Sequence, residues 1–212
     1  LQEKPFTAEW RAVEGSKYYN SPVLYKENGF KKKEDAERLI GELSAEPAGP
    51  ATVIGIEKKK ENKNAPLLYN LAELQNDCSK YFKISPDETL RIVQELYEKK
   101  MTTYPRTDAR VLSTAVAKEI HKNIGGLRNY ALAAPFAKEV LEQGAYKNIA
   151  KTRYVNDKQI TDHYAIIPTG QGLNNLAGLA PTAAKVYEVI VRRFLSIFYP
   201  PAVYQKFSLT LQ

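Results

Sequence analysis

The segment MTTYPRTDARVLS, residues 101 to 113, sets a phenol, a guanidinium and a carboxylate at alternate positions: Tyr104, Arg106 and Asp108. Pro105 disfavours the helical region for the residue before it, so the Tyr104 backbone is expected to be extended. Extended backbone has a side-chain period of two, which puts the three groups on one face. Phosphoryl transfer to tyrosine suits such a trio. A phenol has a reference pKa near 10, so ionising one at pH 7 costs about 4 kcal/mol. A neighbouring guanidinium both stabilises a phenolate and grips a phosphodiester through two parallel hydrogen bonds, which the point charge of a lysine does less well. Asp108 has two readings: it orients Arg106, or it caps the turn. Taken alone, the same five residues also fit an ordinary surface turn.

Helices must hold this loop on both sides. Before it, Ser85, Pro86 and Glu88 supply an N-cap, a first-turn proline and a capping-box acid ahead of Leu90, Val93 and Tyr97. That helix should end near Lys99 and Lys100, whose charges favour a helix C-terminus. After the loop, a helix should begin past Ser113 and stop at Gly125 and Gly126. Upstream, Pro66 can open a helix to about Phe82 with Leu67, Leu71, Leu74 and Cys78 as its buried stripe. Cys78, the single cysteine, then reads as a packing thiol, and with two histidines in the chain no zinc site is expected. Further helices are expected over 135 to 143, before Gly144, and from Pro181 to Phe198, before Pro200 and Pro201.

The flanks have a different period. Residues 5 to 13 and 203 to 211 alternate apolar with polar side chains and read as half-buried strands, with a third strand over 51 to 58. A helix over Lys33 to Leu43 lies between, stopped by Pro47, Gly49 and Pro50. The order is strands, helices, strand, so the first and last strands are expected to pair while the middle forms its own core. The fold class is α+β: a helical domain, residues 64 to 185, inserted into a discontinuous β-rich domain, residues 1 to 63 and 186 to 212. The C-terminus stops inside a strand pattern and the N-terminus lacks a methionine, so both ends are expected to be cuts in a longer protein.

Composition narrows the partner. The chain has 212 residues, 43% of them hydrophobic, enough for one substantial core or two modest ones. No run approaches the roughly 18 apolar residues of a membrane span, and no signal sequence is visible, so a cytosolic location and no membrane partner are expected. The formal charge of +7, from 31 basic against 24 acidic residues, favours a polyanion. The lysine runs 31 to 33 and 58 to 60 are each followed by acids and read as solvated faces.

Three stretches together carry a resemblance. LYNLAELQ (68 to 75) followed by TLRIVQELYEKKMTTYPRTDARVLS (89 to 113), TDHYAIIPT (161 to 169) and VRRFLSIFYPPAVY (191 to 204) are similar, in order and spacing, to type IA DNA topoisomerases, and among these to the bacterial topoisomerase III group. The resemblance spans roughly residues 65 to 205. It implies a winged-helix-like helical domain joined to a β-rich hinge domain. It also implies a tyrosine that cuts one DNA strand through a 5′-phosphotyrosine link, strand passage through the gap, and resealing without ATP. Tyr104 matches that nucleophile, Arg106 the arginine at the scissile phosphate, and His163 the histidine beside it. Histidine can donate a hydrogen bond to a phosphate or hold a neighbour such as Asp162; a merely loop-satisfying role is its plainer reading. His121, outside any motif, reads as structural or exposed.

Two departures stand out. Ala109 follows Asp108 where a serine is common, and Tyr164 sits where a second histidine is frequent, which leaves the role to His163. The magnesium-binding acids of the family's Toprim domain have no counterpart here, so magnesium is expected in the full-length enzyme only, with none in this chain, and the isolated chain is expected to be inactive. Single-stranded DNA is the implied partner and a monomer the expected state, with contacts made mainly to phosphates through Arg106, Thr107, Asp108, Arg110, His163, Arg192 and Arg193, and Lys99 and Lys100 as further candidates. Two other readings compete. A basic clamp would leave Tyr104 a packing residue, and a tyrosine recombinase would need its arginines and histidine upstream of a late tyrosine, whereas here Tyr104 precedes His163.

Overall fold

The computed structural model describes residues 7 to 45 and 52 to 211, and the chain divides into two compact units. The larger runs from Lys59 to Lys206; the smaller combines residues up to Lys58 with those from Phe207 onward. The divisions between these units fall at 58/59 and 206/207, so the last helix, α6 below, lies wholly within the larger one.

In the smaller unit a short antiparallel hairpin, β1 (Leu24–Lys26) and β2 (Gly29–Phe30), precedes helix α1 (Lys33–Leu43). The helix has the limits that its sequence gave reason to expect. The hairpin was not anticipated. Residues 7 to 13 form no strand, contrary to the alternation; residues 5 and 6 lie outside the described residues. The alternate apolar positions act differently: Trp10 stacks on Phe30 at 5.3 Å, Tyr18 meets both rings edge-on, and Ala12 N–H donates to Glu27 O. Ring stacking replaces a ladder here.

Strand β3 (Val53–Lys63) pairs with the C-terminal strand (Ala202–Leu211) in a two-stranded ribbon. The partner of the C-terminal strand is therefore β3 and not the N-terminal segment. The ribbon is exposed on both faces rather than half-buried, which explains why β3 continues through the charged run Glu57–Lys63 that was expected to end it. Ala51 lies outside the described residues.

The larger unit is built from α2 (Leu71–Phe82), α3 (Pro86–Glu98), α4 (Thr114–Gly126), α5 (Ala134–Gln143) and α6 (Pro181–Ser196), linked by short 3-10 turns. Helix α6 lies against α2, α3 and α5 and buries Ala183, Val186, Tyr187, Ile190, Val191, Phe194 and Leu195. Buried Leu74 and Cys78 on α2 join the same core, and burial pushes the Cys78 thiol up to about 11, consistent with a packing thiol.

Local chemistry sets the helix ends. Ser85 accepts from Glu88 N–H and Ser113 from Val116 N–H, so α3 and α4 start where their caps stand. Helix α2 starts five residues later than Pro66 suggested, because Asn70 is its cap and accepts from Glu73 N–H. The residues before it serve elsewhere: Leu68 N–H donates to Arg110 O, and Tyr69 bridges Ile166. Helix α3 is also turned from the expected face. It buries Thr89, Ile92, Val93 and Leu96, leaving Tyr97 40% exposed.

Candidate active site

Helix α3 ends in a left-handed turn. Lys100, at φ 60°, gives its N–H to Tyr97 O, and Met101 N–H returns to Leu96 O, while fully buried Met101 packs under the turn beside buried Leu96. This reversal throws the chain into an extended stretch with no helix or ladder of its own. Its side chains alternate: Pro105, Thr107, Ala109 and Val111 are buried, whereas Arg106 and Asp108 are exposed and Tyr104 and Arg110 are half-buried. The expected period of two is present, with Tyr104, Arg106 and Asp108 on the outward positions.

Hydrogen bonds sew this stretch to the second motif, TDHYAIIPT. Thr103 N–H donates to Ile167 O at 3.0 Å; its hydroxyl donates to Ala165 O and accepts from Ile167 N–H. Thr107 donates its hydroxyl to His163 O at 2.9 Å and accepts from Ala109 N–H. Thr102 bridges Pro168, and Thr169 N–H donates to Met101 O. Gly172, at φ 69°, lets the following turn touch α3's end: a Cβ there would stand 2.2 Å from Lys99 O. From the other side, Asn70 Nδ2 donates to Asp108 O at 3.1 Å and Leu71 N–H to Thr107 O, so the start of α2 also fixes the loop.

This framework brings Tyr104 and His163 together, with ring centroids 4.4 Å apart and planes at 42°. Tyr97 meets Tyr104 edge-to-face at 5.4 Å and 81°. A cavity of about 560 Å³ opens beside them, lined by Tyr97, Glu98, Lys100, Thr102, Thr103, Tyr104, His163, Tyr164, Thr169 and Gln171. A half-buried phenol at the wall of an open cavity, with an exposed imidazole against it, can meet a bulky substrate group from solvent.

The other expected residues divide. Arg106 is exposed on the loop and makes no ion pair among the described residues. Arg110 is tied inward, to Leu68 O at 3.2 Å and to Glu73 at 3.3 Å. Thr107, 7% exposed, holds the loop and has little surface to offer. Arg193 departs most from expectation. Its side chain is 14% exposed and donates to Leu67 O, Tyr69 Oη and Asp77 Oδ2, with the guanidinium 4.0 Å from the Tyr69 ring centre. Burial, and Asp77 accepting its hydroxyl, raise the Tyr69 phenol well above its ordinary range. The Arg193 fork is spent on these acceptors. Arg192 pairs with Glu188 and borders a separate apolar groove, away from the residues lining the Tyr104 cavity.

Sequence reasoning missed Tyr97 and Asn70. Asn70 stands directly before the periodic run from Leu71, an N-cap signal that could have been read; Tyr97 carried no local signal, since its role depends on the turn at Lys100. Among the described residues no three His, Cys, Asp or Glu side chains gather at a metal-holding spacing. The acids nearest the site along the chain, Glu98, Asp108 and Asp162, form no such group. No helix is long and apolar enough to cross a membrane among the described residues.

The family model described as DNA topoisomerase matches residues 5–212. The chain is 36% identical over 185 residues to DNA topoisomerase 3 of Bacillus cereus, covering 86% of this chain and 24% of the relative. It is 36% identical over 170 residues to DNA topoisomerase 3 of Bacillus subtilis, covering 80% of this chain and 22% of the relative. The solved structure of full-length topoisomerase I from Thermotoga maritima shares the fold, with a TM-score of 0.55 and 21% identity over 88% of this chain and 28% of that one. The chain spans about a quarter of the length of the curated relatives it matches.

Proposed function

The chain belongs to the type IA DNA topoisomerase family and is similar to bacterial topoisomerase III, and from that premise we propose that Tyr104 is the nucleophile of a reversible single-strand DNA break. The phenol gives up its proton as its oxygen attacks a backbone phosphorus, a tyrosyl phosphodiester forms at the 5′ end, and the bond to the 3′ oxygen breaks, that oxygen taking a proton to leave as the 3′-hydroxyl. Resealing runs the same steps backwards. One diester replaces another at each stage, so no ATP is required.

The observation that carries this reading is the half-buried Tyr104 ring at the cavity wall with His163 against it. Arg106, outward on the same face, grips the scissile phosphate, and His163 hydrogen-bonds to it. Asp108 and Arg110 border the strand's path; Thr107 acts by holding His163 and the loop. Contacts are to phosphates of single-stranded DNA, which tolerates many sequences. Magnesium belongs to a Toprim domain of the full-length enzyme, a monomer working in the cytosol beside the nucleoid. The ribbon-bearing unit is its hinge and the helical unit a winged-helix-like core.

In the full-length enzyme, Tyr104→Phe is expected to abolish covalent DNA capture, read as protein-linked oligonucleotide on a denaturing gel, with noncovalent binding kept. Undiminished capture by this variant would make the chain a DNA clamp instead.

A further inference from the structure

We propose that Tyr97 is a positioning residue for the Tyr104 nucleophile. The inference rests on the proposed function and adds a residue to it. Tyr104 stands on irregular backbone, whose hydrogen bonds run through Thr103 and Thr107 and leave the phenol ring itself untethered. What restrains a ring in that setting is what it packs against. Two rings touch it, those of His163 and Tyr97.

These two neighbours differ in rigidity. His163 is exposed on a loop, whereas Tyr97 projects from the last helical turn of α3, one residue after buried Leu96. The turn through Lys100 and Met101 locks that end of the helix, so Tyr97 offers a fixed surface from the element that launches the loop. Its own exposure, 40%, excludes a core role: α3 anchors itself through Thr89, Ile92, Val93 and Leu96. An edge-to-face pair depends on ring quadrupoles and not on the hydroxyl of Tyr97. Tyr97 therefore narrows the orientations of the Tyr104 phenol, and its contribution falls on the bond-forming step and not on DNA affinity.

The test uses the full-length enzyme with a single-stranded oligonucleotide, measuring the single-turnover rate of covalent capture and the Kd for the same DNA. Tyr97→Ala is expected to slow capture about tenfold, the change corresponding to about 1.4 kcal/mol in the barrier, with Kd and the thermal midpoint unchanged. Tyr97→Phe, which keeps the ring, should capture at the wild-type rate. The inference is overturned if the alanine variant captures normally, if its Kd weakens in step with its rate, or if phenylalanine is as slow as alanine. Failure of the parent reading is distinguishable, because peptide mapping of the wild-type adduct would then place the DNA on a residue other than Tyr104.

Discussion

Arg193 and Arg106 are chemically identical side chains with opposite fates. Arg106 follows a proline on an extended strip and points outward, whereas Arg193, on a buried helix, spends its fork on Leu67 O, Tyr69 and Asp77. Removing one partner from such a cluster leaves the others unsatisfied. Arg193→Met is therefore expected to lower the chain's unfolding free energy by about 2–3 kcal/mol, measured by urea denaturation, without changing the salt dependence of DNA binding. A salt slope that fell by about one with stability intact would return Arg193 to the phosphate contacts. The sequence could not separate the two arginines, because the RR pair at 192 and 193 reads as one basic patch until the rotation of α6 is known.

At the scale of elements, the loops are held by caps that do more than end helices. Asp157 accepts from Thr114 N–H at 2.8 Å and from the Thr114 hydroxyl at 2.6 Å, which ties the 3-10 turn after Asn156 to the first turn of α4. These bonds hold the Asp157 carboxyl below its ordinary value of 3.8. A carboxylate depressed on folding stabilises the fold above its unfolded value, and that stabilisation fades as pH falls through the lower folded value. Asp157→Asn is thus expected to be less stable than wild type at neutral pH, with the difference closing as the pH falls below 3.8. Thermal midpoints of both proteins across that range provide the check, and a constant gap would argue against the linkage. The helix starts at Ser85 and Ser113 were legible from sequence because caps act within three residues, whereas the face of α3 was misjudged by one position, since Leu90 and Tyr97 satisfy the same apolar pattern as Ile92 and Leu96.

For the whole molecule, the proposed nucleophile and its supports lie in a chain where no three His, Cys, Asp or Glu side chains gather for a metal among the described residues. Purified alone with magnesium, it is expected to leave supercoiled plasmid unrelaxed, as judged by gel mobility. Relaxation by the chain, lost in its Tyr104→Phe variant, would overturn the assignment of magnesium to another domain. The exposed ribbon of β3 and its partner strand belongs to this scale also: its alternating pattern implied burial on one face, yet Ile54, Ile56, Val203 and Phe207 remain open within this chain.

The sequence by itself determined the loop's extended geometry, the outward face of Tyr104, Arg106 and Asp108, and most helix limits, because proline, caps and side-chain period act over a few residues. The resemblance implied a shared site for His163 and Tyr104, but only the tertiary structure decided that their rings pack together, that Tyr97 completes the ring contacts, and that Arg193 turns inward. Those outcomes depend on how α3, α6 and the loops pack together, and distance along the chain carries no record of that packing.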